Sequence, residues 1–212
     1  MSLVTIQTNS PKNVSVIEME TTLKFDFGSV LKRMSDEEFL EFSRRNEGWR
    51  VEMNKDGDLE IMPGTGGKTG RRNNRISRRF DEWAEEDGTG VTFNSETVFN
   101  LKNGAKRMPD ASWLSNEKWN SLSETEQEKP IPFAPDFALE LRSPSDSIKK
   151  LQAKMREYIE NGVQIGWLID PNTKRVYIYR PNAQTEVLEN PKAVSGEPLL
   201  KGFVLNLQEI WD

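Results

Sequence analysis

The chain contains neither cysteine nor histidine among its 212 residues. Without cysteine it forms no disulfide bond and offers no thiolate nucleophile. Without histidine it lacks the commonest general base, and with both residues absent it lacks the ligands of ordinary zinc sites. Any hydrolytic chemistry therefore has to come from carboxylates, lysine, serine and a hard cation.

Long apolar runs and a surplus of positive charge are missing as well. No stretch is long and apolar enough to cross a membrane, and the first residues lack the basic-then-apolar pattern of a secretory signal. We therefore expect a cytoplasmic protein without a membrane partner. The formal net charge of -5 argues against a general polyanion binder, although it leaves room for a local basic patch.

The composition, 35% hydrophobic and 30% charged, is typical of a globular protein. Residues 1–24 are polar and aperiodic, so we expect a segment that is flexible or attached to a sheet edge. Residues 25–212 show no internal repeat and no linker. They are expected to form a single domain.

The clearest predicted strand runs from Asp136 to Arg142, between Pro135 and Pro144. Side-chain alternation puts Phe137 and its apolar neighbours on one face, and Glu140 and Arg142 on the other. Such a strand lies either at a wet sheet edge or beside groups that bind its charges. A predicted helix follows, capped by Ser145 or Asp146 and ended by Asn161-Gly162, and then an apolar stretch; together they predict a βαβ unit.

Residues 107–114 predict another strand, with Asp110 near its start, so Asp110 and Glu140 are candidates for one shared site. Two inward carboxylates on neighbouring strands can hold a hard divalent cation such as Mg²⁺. Lys154 falls at the edge of the apolar stripe of the next helix, from which it could reach them. The plainer interpretation is a boundary lysine that extends to solvent and two ordinary solvated acids.

A second candidate surface is basic. A glycine-rich loop from Pro63 to Gly70 precedes a helix predicted from Arg71 to Glu86. On a helical wheel, four cations lie beside its apolar stripe: Lys68, Arg72, Arg75 and Arg79. They could bind a phosphate backbone, or they could form a solvated helix face.

The glycine-rich loop itself offers a different function. Gly66-Gly67-Lys68-Thr69 resembles the end of a phosphate-binding P-loop. However, Met62 stands where that motif requires its first glycine. A nucleotide-binding protein is therefore the weaker alternative.

Together the motifs resemble the Uma-two family of restriction endonucleases, within the PD-(D/E)XK, or restriction-endonuclease-like, superfamily. The resemblance rests on Pro109-Asp110, the run from Pro135 to Asp146, then Lys154, Tyr158 and the stretch from Trp167 to Pro171. It extends from about Ser35 to Trp211.

The resemblance implies an α/β restriction-endonuclease-like core: a central mixed β-sheet flanked by helices, with an N-terminal helix and a β-hairpin added. It also implies a magnesium-dependent endonuclease that acts on DNA, with Mn²⁺ as a possible substitute, RNA left open as the polymer, and a homodimer as the assembly. Asp110 and Glu140 would be the metal ligands, and Glu52 in the hairpin would be a third acid.

Two positions depart from the family pattern. Arg142 stands where the superfamily has a lysine, and arginine cannot lose its proton to act as a base. We expect Lys154 to supply the missing amine, with Arg142 on the scissile phosphate. A histidine common after the glycine-rich loop is also absent, and Thr69 or Asn73 stands there. A DNA-binding protein that keeps the fold without cleaving is therefore the second alternative.

Overall fold

A computed structural model describes residues 23–25, 34–46, 48–62 and 64–212. The predicted N-terminal segment, residues 1–24, lies outside the described residues except for Leu23 and Lys24, which belong to a strand. The domain boundary at residue 25 stays a prediction. In the described part of the chain, no helix has the length and apolar character needed to span a membrane.

The described residues form six helices and thirteen strands. The helices are α1 (Asp36–Arg45), α2 (Gly67–Asp87), α3 (Asn116–Asn120), α4 (Glu124–Gln127), α5 (Ile148–Glu160) and α6 (Gln208–Trp211). The strands are β1 (Leu23–Phe25), β2 (Arg50–Met53), β3 (Leu59–Met62), β4 (Gly90–Phe93), β5 (Phe99–Asn100), β6 (Lys106–Arg107), β7 (Ala111–Ser115), β8 (Phe137–Leu141), β9 (Ile165–Asp170), β10 (Arg175–Tyr179), β11 (Glu186–Glu189), β12 (Ala193–Ser195) and β13 (Val204–Asn206).

Two larger sheets organise the fold. The central sheet has the order β11-β10-β9-β8-β7-β4, in which only β8 and β9 run parallel. The second sheet, β1-β3-β2-β6-β5, is antiparallel throughout. A short β12-β13 pair completes the strands. This is the mixed α/β architecture with a central mixed sheet that the sequence predicted.

The predicted βαβ unit is confirmed as β8, α5 and β9. Because β8 lies between β7 and β9 and all five of its residues are buried, it is not a wet edge strand. Helix α5 covers the Glu140 face with Met155 and Tyr158, which are fully buried. The opposite face packs on α2, where the rings of Phe137 and Phe80 lie 5.3 Å apart.

The N-terminal helix and the hairpin are also confirmed. Ser35 and Glu38 form a capping box at the start of α1. Strands β2 and β3 form the predicted hairpin, and Gly57 in its turn has φ +93, a conformation that glycine adopts without strain. Helix α2 begins at Gly67 rather than at Arg71, because the glycine loop continues directly into the first helical turn.

One predicted strand divides into two. Residues 107–114 read as a single strand, but they form the end of β6 and most of β7, which belong to different sheets. Met108, Pro109 and Asp110 lie between them, where the chain passes from the antiparallel sheet to the central one. Proline cannot donate to a strand ladder, which favours a break at this point. Asp110 is thereby placed at the junction of the two sheets.

The glycine-rich loop does not have the setting of a P-loop. It follows β3, which lies between β1 and β2 in the antiparallel sheet. A P-loop normally follows a central parallel strand. The topology therefore removes the structural basis of the nucleotide-binding alternative.

The close packing of α5 on the sheet is testable at Gly166 in β9. A Cβ at this position would lie 2.5 Å from Cε of Met155, which is fully buried on α5. Because Cε ends a flexible but fully buried side chain, it has to shift at a small cost, and we expect Gly166→Ala to lower the free energy of unfolding by about 1 kcal/mol in urea denaturation. Gly67→Ala is the control, since its Cβ meets no atom within 4 Å. Equal stability of Gly166→Ala and the wild type would contradict this packing.

Candidate active site

A cleft of about 1190 Å³ opens where the two sheets meet. It is lined by β2, β3, the glycine-rich loop with the start of α2, Asp110 just before β7, the end of β8, and one side of α5 along its whole length. Four of the five predicted catalytic residues lie in its wall: Glu52, Asp110, Glu140 and Lys154.

Asp110 is fixed by the backbone on both sides. The antiparallel register pairs Ala111 with Leu139, and one further step places Asp110 opposite Glu140. The Asp110 amide donates to the Leu139 carbonyl at 2.9 Å. Its carboxylate accepts the Leu141 amide through Oδ2 at 2.8 Å and an Arg50 guanidinium N–H through Oδ1 at 2.8 Å. Both carboxylate oxygens therefore have donors.

Glu140 lies opposite Asp110 with its carboxylate buried under α5. Its Oε1 accepts the hydroxyl of Tyr158 at 2.9 Å and lies 2.8 Å from Nζ of Lys154. Burial raises the pKa of Glu140 to about 7; Lys154 counteracts this, while the charges of Asp110 and Glu52 add to it. Burial is therefore the main reason that Glu140 favours its protonated form, and the neighbouring acids add to it.

Lys154 joins two acids that come from different sheets. Its Nζ lies 2.8 Å from Oε1 of Glu52 in β2 and 2.8 Å from Oε1 of Glu140 in β8. Burial works to lower the pKa of Lys154, but the two carboxylates raise it above its usual value. The amine is therefore protonated at neutral pH, so it donates hydrogen bonds and is not a ready base.

Glu52 is the most enclosed acid of the group, with 2% of its surface exposed. Besides Lys154, it accepts the Met108 amide at 2.9 Å and an Arg107 guanidinium N–H at 3.1 Å. Burial works to raise the pKa of Glu52, but the charges of Lys154, Arg107 and Arg50 prevail and lower it to about 2. Glu52 is thus an ionised anchor rather than a solvated hairpin carboxylate.

Sequence reasoning did not single out two arginines of this site, Arg50 and Arg107. Arg107 binds three carboxylates: Glu52, Glu157 at 2.7 Å, and Glu60. Arg50 has the same strand parity as Glu52, while Val51 between them packs in the core. This alternation in β2 was the available signal for Arg50, because residues two apart on a strand share a face.

Arg142 is not brought to the other candidates. Its guanidinium donates to Oδ2 of Asp170 at 2.9 Å and to the Asp146 carbonyl at 3.1 Å, and it does not line the cleft. Asp170 ends the neighbouring strand β9, and its buried carboxylate is a strong partner for a guanidinium. The expected contact between Arg142 and a phosphate in the cleft has no support in this geometry.

The four predicted DNA-binding cations separate into two groups. Arg72 donates to the carbonyl of Ile210 at 2.8 Å, Arg75 donates to the carbonyl of Glu209, and Arg79 pairs with the Glu209 carboxylate at 3.0 Å. These three arginines hold the segment of α6 against α2. Lys68 is exposed in the first turn of α2 and lines the cleft.

The donor chemistry fits a hard divalent cation. Five carboxylates surround three cations in the network described above: Glu52, Glu60, Asp110, Glu140 and Glu157, against Arg50, Arg107 and Lys154. Fully ionised, this network has two uncompensated negative charges. Within the described ranges, no three acidic side chains form a complete metal cage. Mg²⁺ suits such a site, since it commonly takes one or two carboxylates and completes its shell with water and phosphate oxygens.

The chain resembles nucleases in both sequence and fold. A family model, Uma2, described as "Putative restriction endonuclease", matches residues 36–208. Among solved structures, the chain is similar to a "putative nuclease belonging to DUF820" from Anabaena variabilis ATCC 29413, with a TM-score of 0.69 and 22% sequence identity. The match covers 84% of this chain and 97% of that one, and at this identity it shows the fold. No curated protein matches the sequence.

The raised pKa of Glu140 predicts how stability changes with pH. The unfolded chain loses this proton at about pH 4.5, whereas the folded protein retains it up to about pH 7. The stability that protonation provides is therefore fully present below about pH 4.5, decreases between pH 4.5 and 7, and is lost as pH rises through about 7. We expect Glu140→Gln, which is neutral throughout, to gain stability over the wild type across that window by on the order of 1–3 kcal/mol. Urea denaturation in EDTA from pH 5 to pH 8.5 measures this difference.

The control is Glu160→Gln, which removes an exposed carboxylate from α5, the helix that covers Glu140. Its stability relative to the wild type should stay constant over the same range. A difference between Glu140→Gln and the wild type that did not change with pH would mean that Glu140 is already ionised at pH 5.

Proposed function

This chain belongs to the Uma2 family, described as "Putative restriction endonuclease", and we propose that it hydrolyses phosphodiester bonds in DNA within the cleft that holds Asp110 and Glu140, with Mg²⁺ or Mn²⁺ as cofactor. The observation that carries the proposal is the placement of these two buried carboxylates opposite each other, with the amine of Lys154 2.8 Å from Glu140. RNA is the alternative polymer for the same chemistry.

Asp110 and Glu140 are the residues that would hold the cation. A bound divalent cation supplies Lewis-acid charge to a phosphate oxygen and makes a water molecule more acidic. The excess negative charge of the network and the raised pKa of Glu140 support this assignment, because a nearby cation relieves both.

Lys154 supplies a fixed positive charge next to the reacting phosphate. Hydrolysis adds the hydroxyl of water to phosphorus, breaks one P–O ester bond and leaves the second proton of that water on the departing oxygen. Protonated Lys154 can orient the attacking water and stabilise the charge that develops on the phosphorane oxygens. Glu52 acts through it: the Glu52 carboxylate, anchored by Arg107 and the Met108 amide, positions Nζ.

Substrate approach also requires a cation. The cleft wall carries seven lysine and arginine side chains and eight aspartate and glutamate side chains. A polyanion would meet no net attraction from such a wall. A divalent ion near Asp110 reverses this balance where the phosphate has to lie. Lys68 contributes at the rim, while the homodimer and the cytoplasmic location stay predictions.

A non-catalytic nucleic-acid-binding protein is the second candidate. It is favoured by the Arg50 contact, which neutralises Asp110 without any metal. Such a protein would bind nucleic acid equally well with and without divalent ions, and the loss of the Asp110 charge would not matter.

The two candidates separate in a cleavage assay. We expect the wild type to cut plasmid DNA with Mg²⁺ or Mn²⁺ and to leave it intact in EDTA. Asp110→Asn and Glu140→Gln should each lower the rate by at least about 100-fold, because each removes one of two protein ligands. Glu189→Gln, on the distant edge strand β11, is the matched control and should cut normally. Parallel reactions on RNA identify the polymer.

Binding without cleavage in every metal, unchanged by Asp110→Asn, would support the non-catalytic candidate instead. Cleavage that persists in EDTA would exclude the proposed role of the cation.

The division of the basic residues predicts different effects for Lys68 and Arg79. Lys68→Gln should weaken DNA binding several-fold and reduce the slope of log affinity against log salt by about 1, because a single phosphate contact is lost. Arg79→Gln should leave the affinity unchanged and lower the melting temperature, because its partner is Glu209. Fluorescence anisotropy with Ca²⁺ in place of Mg²⁺ measures both affinities. Equal losses of affinity would show that the α2 arginines also face DNA.

A further inference from the structure

Arg50 holds the carboxylate that the proposed cation needs. One guanidinium nitrogen lies 2.8 Å from Oδ1 of Asp110, and the other donates to the carbonyl of Met108. The same guanidinium is 4.0 Å from Oε1 of Glu52. About a fifth of the side chain, 21%, is exposed, and it lines the cleft.

Asp110 has no unoccupied oxygen in this arrangement. Its Oδ2 accepts the Leu141 amide, which belongs to the strand backbone and cannot leave without unpairing β8. Its Oδ1 is held by a side chain that can rotate. A divalent cation that binds Asp110 through Oδ1 would lie next to the Arg50 guanidinium, and the repulsion between these two positive charges favours departure of Arg50.

The other arginine of the network is less free to move. Arg107 is held by three carboxylates and is nearly buried, with 8% of its side chain exposed. Arg50 has one close carboxylate, and its Nε is buried without a hydrogen-bond partner among the described residues. Displacement of Arg50 consequently breaks fewer contacts than displacement of Arg107.

We propose that Arg50 is an exchangeable counter-ion: it neutralises Asp110 in the metal-free protein, leaves Oδ1 when a divalent cation binds there, and then donates its freed N–H groups to a phosphate of the nucleic acid. This inference rests on the proposed function. The planar guanidinium suits the second position, because its parallel N–H groups match two phosphate oxygens.

The exchange avoids both an excess of negative charge in the metal-free protein and an excess of positive charge on Asp110 when the divalent ion is bound. Without Arg50, Asp110 and Glu140 would be adjacent buried acids with only Lys154 between the strands to compensate them. With both Arg50 and a divalent ion on Asp110, two cations would compete for one carboxylate. Movement of Arg50 to the phosphate keeps the charge balanced before and after the substrate binds.

Metal binding tests the exchange without any need for activity. We titrate Mn²⁺ into metal-free protein and follow the free ion by electron paramagnetic resonance. Arg50→Met and Arg50→Gln should each bind Mn²⁺ about 10- to 100-fold more tightly than the wild type, since a charge-assisted hydrogen bond no longer competes. Arg50→Lys keeps a cation near Asp110 and should stay within about threefold of the wild type.

Arg156→Met is the matched control for charge alone. It removes an exposed arginine of α5 from the cleft wall and leaves both contacts of the Asp110 carboxylate in place, so its Mn²⁺ affinity should change less than about twofold. Circular dichroism establishes that each variant is folded. Both Arg50→Met and Arg50→Gln are measured, so the test can still be decided if one of them does not fold.

Cleavage provides the second readout. At saturating Mn²⁺, Arg50→Met should cut DNA at least about 10-fold more slowly than the wild type, although it binds the ion more tightly. A purely structural role of Arg50 would weaken both properties together. Opposite changes in metal affinity and kcat are therefore the signature of the exchange.

The outcomes also separate this inference from the proposed function. If Asp110→Asn abolishes Mn²⁺ binding but both neutral Arg50 variants bind like the wild type, the exchange is refuted and the metal site stands. If neither the wild type nor the neutral Arg50 variants bind Mn²⁺ at millimolar concentration, both proposals fall.

Discussion

The structure depends on uncompensated negative charge at the junction of two sheets. Burial makes an unpaired carboxylate costly, so each acid there has to find a cation, a hydrogen-bond donor or a proton. Glu52 and Asp110 each have a cation and a backbone amide as partners. Glu140 has Lys154 and the Tyr158 hydroxyl, yet burial still favours its protonated form and raises its pKa to about 7. A core built only for stability would not retain this imbalance, because replacing such groups by apolar ones is often neutral or stabilising. The imbalance is therefore the best indication of a charged ligand.

The fold brings these acids together from distant parts of the sequence. Glu52 comes from the antiparallel sheet, Glu140 comes from the central sheet, and Asp110 lies where the chain passes between the two. Helix α5 completes the arrangement, because Lys154 binds one acid from each sheet and Tyr158 binds Glu140. The two sheets are thus joined by charge as well as by packing, and the cleft lies along this joint.

Much of this could be predicted, and the failures have a common cause. Side-chain alternation and turn residues correctly predicted the hairpin and the βαβ unit and pointed to the candidate acids, because alternation and turns depend on residues that are close in sequence. They assign a side chain to a face but not to a partner. Arg142 has the same parity as Glu140 and still binds Asp170, and the α2 arginines bind the α6 segment rather than solvent. Arg50 was missed for the same reason, since its partner Asp110 is sixty residues away.

The departure from the superfamily pattern at Arg142 need not remove the chemistry. The site requires a positive charge close to the Glu140 carboxylate. The strength of that interaction depends on the distance between the two charges and not on whether a strand or a helix bears the cation. Lys154 on α5 lies 2.8 Å from that carboxylate. Arg142, at the position where the superfamily has its lysine, pairs instead with Asp170 at the end of β9. An arginine kept at the strand position and turned towards Glu140 would remain charged under all conditions. Lys154 provides the positive charge next to Glu140, so Arg142 is not needed there and can stabilise the fold through its ion pair with Asp170.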